Sequence, residues 1–321
     1  MYSDINYVFK GDFNMSTKLY VFGHQKPDTD SITSSIVFAN LQKALGYDAT
    51  AYKLGELNKE TKYALKTFEV EEPKTLESVD ENCDVAIVDH NEFSQSVKGI
   101  EKANVKMVVD HHKIKFEKIE PIFFITEPVG CTASILYKLY KQNNVEINSQ
   151  IAGLMLSAII SDTLLFKSPT CTEEDKKISQ ELSKIAGVDI DTYGKEMLKA
   201  GTDISDFTPF QVINMDSKEF SDAHAKFEIS QVNAVDLDSV FARQSELEDA
   251  INKEIKEKNL DFYMFAATDI LNANSKIIAI GNKANTVEKA FGVNLENNTA
   301  MLNNVVSRKK QMLPNILNNL D

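Results

Sequence analysis

The chain has 321 residues, 43% of them hydrophobic and 26% charged, which suits one large or two medium domains with enough apolar material for a core in each. Its 48 acidic residues outnumber 35 basic ones and leave a formal charge of −13, which argues against a nucleic-acid partner held by non-specific attraction to phosphates; an anionic substrate would need metal ions or a local basic cluster. No run reaches the roughly 20 apolar residues that span a bilayer, and residues 1–16 lack the apolar stretch of a secretory signal.

Residues 1–16 read as an N-terminal extension. Residues 19–23 (LYVFG) form a short apolar run of strand length, and Ile32, Ile36, Phe38, Leu41 and Leu45 then recur near helical spacing up to Gly46. Residues 85–88 and 106–109 read as further strands, and 132–142 and 151–165 as helices. Thr172 with Asp175 makes a capping-box start for a structural helix that runs to Ala186 and stops at Gly187. The polar stretch 202–210, broken by Pro209, marks a linker. Beyond it, 227–232, 262–267 and 277–280 read as strands, a charged helix is expected over 237–258, and another near 286–291. This alternation predicts an α/β protein: a larger N-terminal domain over 17–201 with a mostly parallel sheet flanked by helices, the hinge 202–210, and a smaller C-terminal α/β domain over 211–321. Three cysteines, Cys83, Cys131 and Cys171, show no C-x-x-C spacing and read as reduced thiols of a cytoplasmic protein.

The chemistry gathers at strand ends. The first strand runs into Gly23-His24-Gln25-Lys26-Pro27-Asp28-Thr29-Asp30, the second into Asp89-His90, the third into Asp110-His111-His112. In open α/β sheets that carboxyl edge is where ligands bind. Four of the five histidines lie in these segments, and imidazoles mixed with carboxylates but no thiolate suit Mn²⁺, Mg²⁺ or Co²⁺ better than a structural zinc. Pro27 is expected to stiffen the turn and bias Lys26 away from helix. Asp28 and Asp30 also suit an ordinary helix start. Asp162 sits inside the apolar run 154–165, where a carboxylate is costly unless paired or bound to metal, or else faces solvent.

The ordered set His24-x-x-x-Asp28-x-Asp30, Asp89-His90-Asn91 and Asp110-His111-His112 resembles the DHH phosphoesterases. Glu127-Pro128-Val129-Gly130-Cys131-Thr132, Ser161-Asp162, Leu164 to Thr170, and Ser307-Arg308-Lys309-Lys310-Gln311 are similar to the family II, manganese-dependent inorganic pyrophosphatases, a likeness that runs from about Leu19 to Pro314. That resemblance implies a hydrolase of the cytoplasm, a homodimer through its larger domain, that splits pyrophosphate into two orthophosphates by a hydroxide bridging two Mn²⁺ ions, with Mg²⁺ accompanying the substrate and Co²⁺ or Mg²⁺ as possible substitutes. One ion falls to His24, Asp28 and Asp89, the second to Asp30, Asp89, His111 and Asp162, with Asp89 shared. His112, Lys218, Arg308 and Lys309 take substrate-binding and catalytic roles; His90 and Lys310 are left outside the site. Lys26 stands where many relatives carry Asn. The alternatives are an exopolyphosphatase, whose clamp chemistry is the same, and a DHH phosphodiesterase, whose glycine-rich G-G-G-H-like motif this sequence lacks. Closure of the smaller domain is expected to bring its basic residues to the metals.

Overall fold

The structure, a computed structural model, describes residues 18–221 and 223–320; the expected extension lies outside them. The chain divides into two compact units, Met1–Gly201 and Thr202–Asp321.

In the first unit six strands, β1 (Lys18–Phe22), β2 (Asp48–Lys53), β3 (Lys74–Thr75), β4 (Asp84–Val88), β5 (Asn104–Asp110) and β6 (Phe123–Thr126), form one sheet in the order β3-β2-β1-β4-β5-β6. Every neighbouring pair is parallel. The strand order reverses between β1 and β4, and that switch point opens a crevice at the carboxyl edge. The sequence places His24 and Asp89 on either side of it. Val21, Phe22 and the run Val85 to Val88 are buried, as expected of strands covered on both faces. The unit's helices are α1 (Thr29–Ala44), α2 (Lys59–Thr67), α3 (Thr132–Gln142), α4 (Ser149–Thr163), α5 (Glu173–Ala186) and α6 (Ile190–Gly201). From Ile151 to Ile160 α4 is buried on every side, so it serves as an internal helix rather than an amphipathic one. The capping box between Thr172 and Asp175 is present at the start of α5.

Two expected helices differ. The one predicted over 151–165 ends at Thr163, and Leu164, Leu165 and Phe166 all take positive φ (47°, 52° and 67°). Such a left-handed turn costs non-glycine residues roughly 1–2 kcal/mol each, which bonds such as Leu165 N to Ile160 O (2.9 Å) and Ser168 N to Thr163 O (2.8 Å) help offset. The helix expected over 237–258 is two, α8 (Leu237–Phe241) and α9 (Gln244–Lys258), interrupted at Ala242 and Arg243. The Arg243 guanidinium there donates to the carbonyls of Ile204 and Phe207.

The second unit opens with α7 (Pro209–Asn214), where Pro209 begins a helix capped by Thr208 rather than breaking one. Strands β7 (Ser217–Ser221), β8 (Lys226–Ala234), β9 (Phe262–Asp269), β10 (Asn274–Gly281) and β11 (Thr299–Asn303) make a mixed sheet ordered β11-β10-β9-β8-β7. Only the β8–β9 pair is parallel. Apolar clusters cover both faces of the sheet, around Phe265 with Leu247 and around Phe262 with Met312, and α10 (Asn285–Phe291) and α11 (Leu313–Leu317) close the second.

Candidate metal centre

Each candidate ligand leaves the backbone where a regular element starts or stops. His24 follows β1. Its Nδ1 donates to Gln25 O at 2.8 Å, which leaves Nε2 as the free lone pair. Asp28 caps α1 by accepting from Ser31 N at 2.9 Å. Pro27 does keep Lys26 out of right-handed helix, though Lys26 adopts a left-handed backbone (φ 55°) rather than an extended one, with its side chain exposed. Asp30, in the first turn of α1, is fully buried. Asp89 follows β4 with φ 59°, and its N–H bonds Val109 O at 3.0 Å, so the sheet ladder holds it in that conformation. His111 and His112 follow β5, and Asp162 occupies the last turn of α4, mostly buried.

These side chains converge. Nε2 of His24 lies 3.4 Å from both Asp28 Oδ2 and Asp89 Oδ2. Nε2 of His111 lies 3.4 Å from Asp89 Oδ1 and 3.6 Å from Asp162 Oδ2. Asp89 thus turns one oxygen to each histidine. Ligand atoms of His24, Asp28 and Asp89 fall within 4.8 Å of one another, and so do those of Asp30, Asp89, His111 and Asp162. A third grouping, Asp89, His111 and His112, meets the same distance and was not expected. The cavity at this edge, about 450 Å³, also has Lys113 and Thr170 on its wall.

Supporting hydrogen bonds fix the cluster. His111 Nδ1 donates to Val129 O (3.1 Å), and Thr132 gives its N–H to Asp30 Oδ2 (2.9 Å) and its hydroxyl to Asp89 Oδ1 (3.1 Å). Ser34 Oγ donates to Asp30 Oδ1 at 2.6 Å. Buried Asp110 accepts from His112 Nδ1 at 2.9 Å and from Asn91 Nδ2 at 2.5 Å. Thr132 and Asn91 stand in the motifs that carry the family resemblance without a role attached to them, and Ser34 has no signal in the sequence. Asp110 carries the same strand-end signal as Asp89, and a supporting role for it follows only from its burial. His90 is buried, with Nδ1 donating to Val88 O at 3.0 Å and its ring edge-on to His24. Burial pushes its pKa down to about 4, so it is a neutral ring behind the cluster.

Taken as side chains alone, the cluster crowds buried negative charge. Burial, then the charge of Asp89, lift Asp30 to about 7, and burial with the charges of Asp30 and Asp89 raise Asp162 well above the carboxylate range. Burial opposes ionisation of Asp89 too, but hydrogen bonds from His111 and His24 overcome it and hold its carboxyl well below that range. For the histidines burial acts against protonation and the carboxylates win: His24 is pushed up to about 11 through Asp28 and Asp89, and His111 to about 9 through Asp89. Four carboxylates and two oriented imidazoles within such a space fit hard divalent cations, which would offset the repulsion among the acids.

The expected basic residues lie in the second unit. Lys218 is exposed on β7, and Lys309 is exposed within a π-helical turn, Arg308–Met312. Arg308 grips Asp216 through both terminal nitrogens, Nη2 to Oδ1 at 2.8 Å and Nη1 to the backbone carbonyl. Its own N–H bonds Gln231 Oε1 at 3.1 Å. The start of β7 and the π turn are thereby joined.

Residues 18–159 match the N-terminal domain of the DHH family, and residues 195–319 match the DHHA2 domain. The manganese-dependent inorganic pyrophosphatase of Bacillus subtilis (strain 168) is 54% identical over 299 residues, covering 92% of this chain and 97% of its own length. A protein from Bacillus velezensis described as a probable enzyme of the same kind is 55% identical with the same coverage. A crystal structure from Methanococcus jannaschii assigned to the family II inorganic pyrophosphatases superposes with a TM-score of 0.61 at 38% identity, covering 94% of this chain and 99% of that one. The chain therefore belongs to the DHH-family, manganese-dependent inorganic pyrophosphatases of family II.

Proposed function

We propose that the chain hydrolyses inorganic pyrophosphate to two orthophosphates at a pair of divalent cations, Mn²⁺ in the first place. The observation that carries this reading is the sharing of Asp89 by two overlapping ligand sets, His24 with Asp28 and Asp30 with His111 and Asp162. A divalent pair supplies Lewis acidity and makes a water acidic enough to lose its proton near neutral pH.

The chain's own residues supply orientation and charge. Hydrolysis adds a water oxygen to one phosphorus while the bridging P–O bond breaks, and the leaving phosphate gathers negative charge. His112 is half-exposed, and its Nδ1 is engaged by Asp110, a bond that raises its pKa despite partial burial. Its Nε2–H is then available to a phosphate oxygen as hydrogen-bond or proton donor. Lys218, Arg308 and Lys309 are assigned to the phosphates, Arg308 through its fork. Asp216 already occupies both prongs of that fork, one through a carboxylate oxygen and the other through its backbone carbonyl.

The same reading makes Mg²⁺ the ion carried with the substrate, and the cytoplasm and a homodimer the setting. Cys83, Cys131 and Cys171 are free thiols, in keeping with a reducing compartment. No helix among the described residues is long and apolar enough to cross a membrane. Ile114 and Ile119 are exposed apolar side chains suited to a subunit contact, which sedimentation of the purified chain checks. The deciding assay measures phosphate release from pyrophosphate, long-chain polyphosphate and a dinucleotide with Mn²⁺ present. Preference for pyrophosphate is expected; preference for polyphosphate or the dinucleotide replaces this reading with the exopolyphosphatase or the phosphodiesterase.

A further inference from the structure

Glu60 contributes no atom to the cluster, yet it touches the two segments that deliver Asp28, Asp30 and Asp162 to it. It stands in the first turn of α2, behind a cap in which Asn58 accepts from Thr61 N at 2.7 Å. Its Oε1 accepts from two hydroxyls, Thr29 Oγ1 at 2.7 Å and Ser161 Oγ. Thr29 lies between Asp28 and Asp30 at the start of α1, and Ser161 immediately precedes Asp162 in the last turn of α4. A second link from the same helix, between the hydroxyls of Thr61 and Thr29 at 3.1 Å, keeps α2 against α1. The end of α6 closes over the glutamate: a Cβ at Gly201 would stand 2.9 Å from Glu60 Cβ and Oε2.

We propose that Glu60 is a positioning residue for the metal centre, its Oε1 bracing Thr29 and Ser161 so that Asp28 and Asp30 keep their spacing against Asp162. The proposal rests on the reading of those acids as ligands. Its physical basis is their mutual repulsion: buried carboxylates at this range push α1 and α4 apart unless something outside the cluster holds the segments together. A ligand set that relaxes apart must be reassembled at each binding event, which lowers affinity without touching any ligand atom.

The test is Mn²⁺ titration by calorimetry on the full chain after chelator treatment, with circular dichroism confirming that each variant is folded. Glu60→Ala should weaken Mn²⁺ binding about 10- to 100-fold, the range found when partners of metal ligands are removed. Glu60→Gln keeps an Oε1 acceptor for both hydroxyls and should bind near the parental affinity. Ser161→Ala cuts one arm of the brace and should fall between the two. Parental affinity in a folded Glu60→Ala overturns the proposal, and so does a Glu60→Gln variant as weak as the alanine, since charge rather than bracing would then be at work. If Glu60→Ala does not fold, Ser161→Ala decides, and parental affinity there overturns the proposal. A parent chain that binds no Mn²⁺ overturns the metal reading itself, and this inference with it.

Discussion

In the first unit Asp30, Asp89 and Asp110 are buried at the ends of β-strands and at a helix start, whereas in the second Lys218 and Lys309 stand in solvent and only Arg308 is held, by Asp216. The two units thus meet the same need for charge by opposite means. Buried carboxylates are costly to keep and therefore must be organised, here by Thr132 and Ser34, which hold Asp30 and Asp89, while the Val129 carbonyl orients His111. Exposed cations cost little to keep, and they are correspondingly mobile and screened by salt. An organised anionic cluster is suited to ions that must be placed within tenths of an ångström. A looser basic set is suited to a substrate that must arrive and leave. If that contrast governs function, substitutions in the first unit should act all-or-none and those in the second should be graded.

The largest effect is expected at Asp89. Asp89→Ala removes the carboxylate shared by both ligand sets, and turnover of pyrophosphate should fall beyond the about 10²–10³-fold that loss of one transition-state donor costs. Mn²⁺ stoichiometry should fall as well. Near-parental turnover in this variant would remove the basis of the metal reading. His112 is next: His112→Gln keeps a hydrogen-bonding group but cannot carry the proton, and kcat should drop about 10²-fold or more with Mn²⁺ affinity little changed. A parallel loss of metal affinity would instead place His112 among the ligands, in the third grouping with Asp89 and His111.

How much of this the sequence discloses follows the range of the signals involved. His24, Asp89 and His111 stand at the ends of apolar runs, a local pattern, and the parallel sheet brings such ends together at one edge. Asp162 was conspicuous because a lone acid interrupts an apolar run. The pairing of these residues into two sets came from the family resemblance, since no spacing states which carboxylate faces which imidazole. Glu60 left no trace. Its meaning lies in two hydroxyls 31 and 101 residues away, and its helix is a short stretch among loops. The turn at Leu164, Leu165 and Phe166 was invisible for another reason. Left-handed backbone is ordinarily announced by glycine or asparagine, and here local main-chain bonds back to the end of α4 hold it on residues that prefer otherwise. The strand β2, Asp48–Lys53, escaped because its short mixed pattern, DATAYK, has no apolar run.

A graded effect is expected at Arg308. Arg308→Lys keeps the charge and loses the fork, which Asp216 holds at 2.8 Å through one nitrogen and at its backbone carbonyl through the other. A charge-assisted hydrogen bond contributes about 1.5–3 kcal/mol, so kcat/KM for pyrophosphate should fall about 10- to 100-fold. The loss should not grow with added salt, because screening weakens a charge contact, and the Mn²⁺ stoichiometry should not move. An Arg308→Lys enzyme with parental kcat/KM at every salt concentration would mean that the fork does no more than tie β7 to the π turn.

The smallest expected effect concerns pH, and it separates the cluster from its metals. In the chain without bound cations Asp30 stands at about 7 against an ordinary 3.8, while His111 and His24 stand at about 9 and about 11 against 6.5. Each folded-state value lies above the unfolded one, so the folded chain binds more protons. Their contribution to stability is complete at low pH. It is lost for Asp30 as pH rises from 3.8 to about 7, and for His111 and His24 as it rises from 6.5 through about 9 and about 11. Asp89, whose carboxyl is held low, acts in the opposite sense but only below the ordinary 3.8. Metal binding requires those same groups to give up their protons. Thermal unfolding of the chelator-treated chain should therefore shift to lower temperature between about pH 6 and about pH 8, while the increment from added Mn²⁺ grows over the same interval. The two slopes must have opposite signs. If the chelator-treated chain became more stable across that interval, the acids and histidines would not be sharing protons in the way their distances require, and the case for a preassembled cluster would pass to the hydrogen bonds of Thr132 and Ser34 alone.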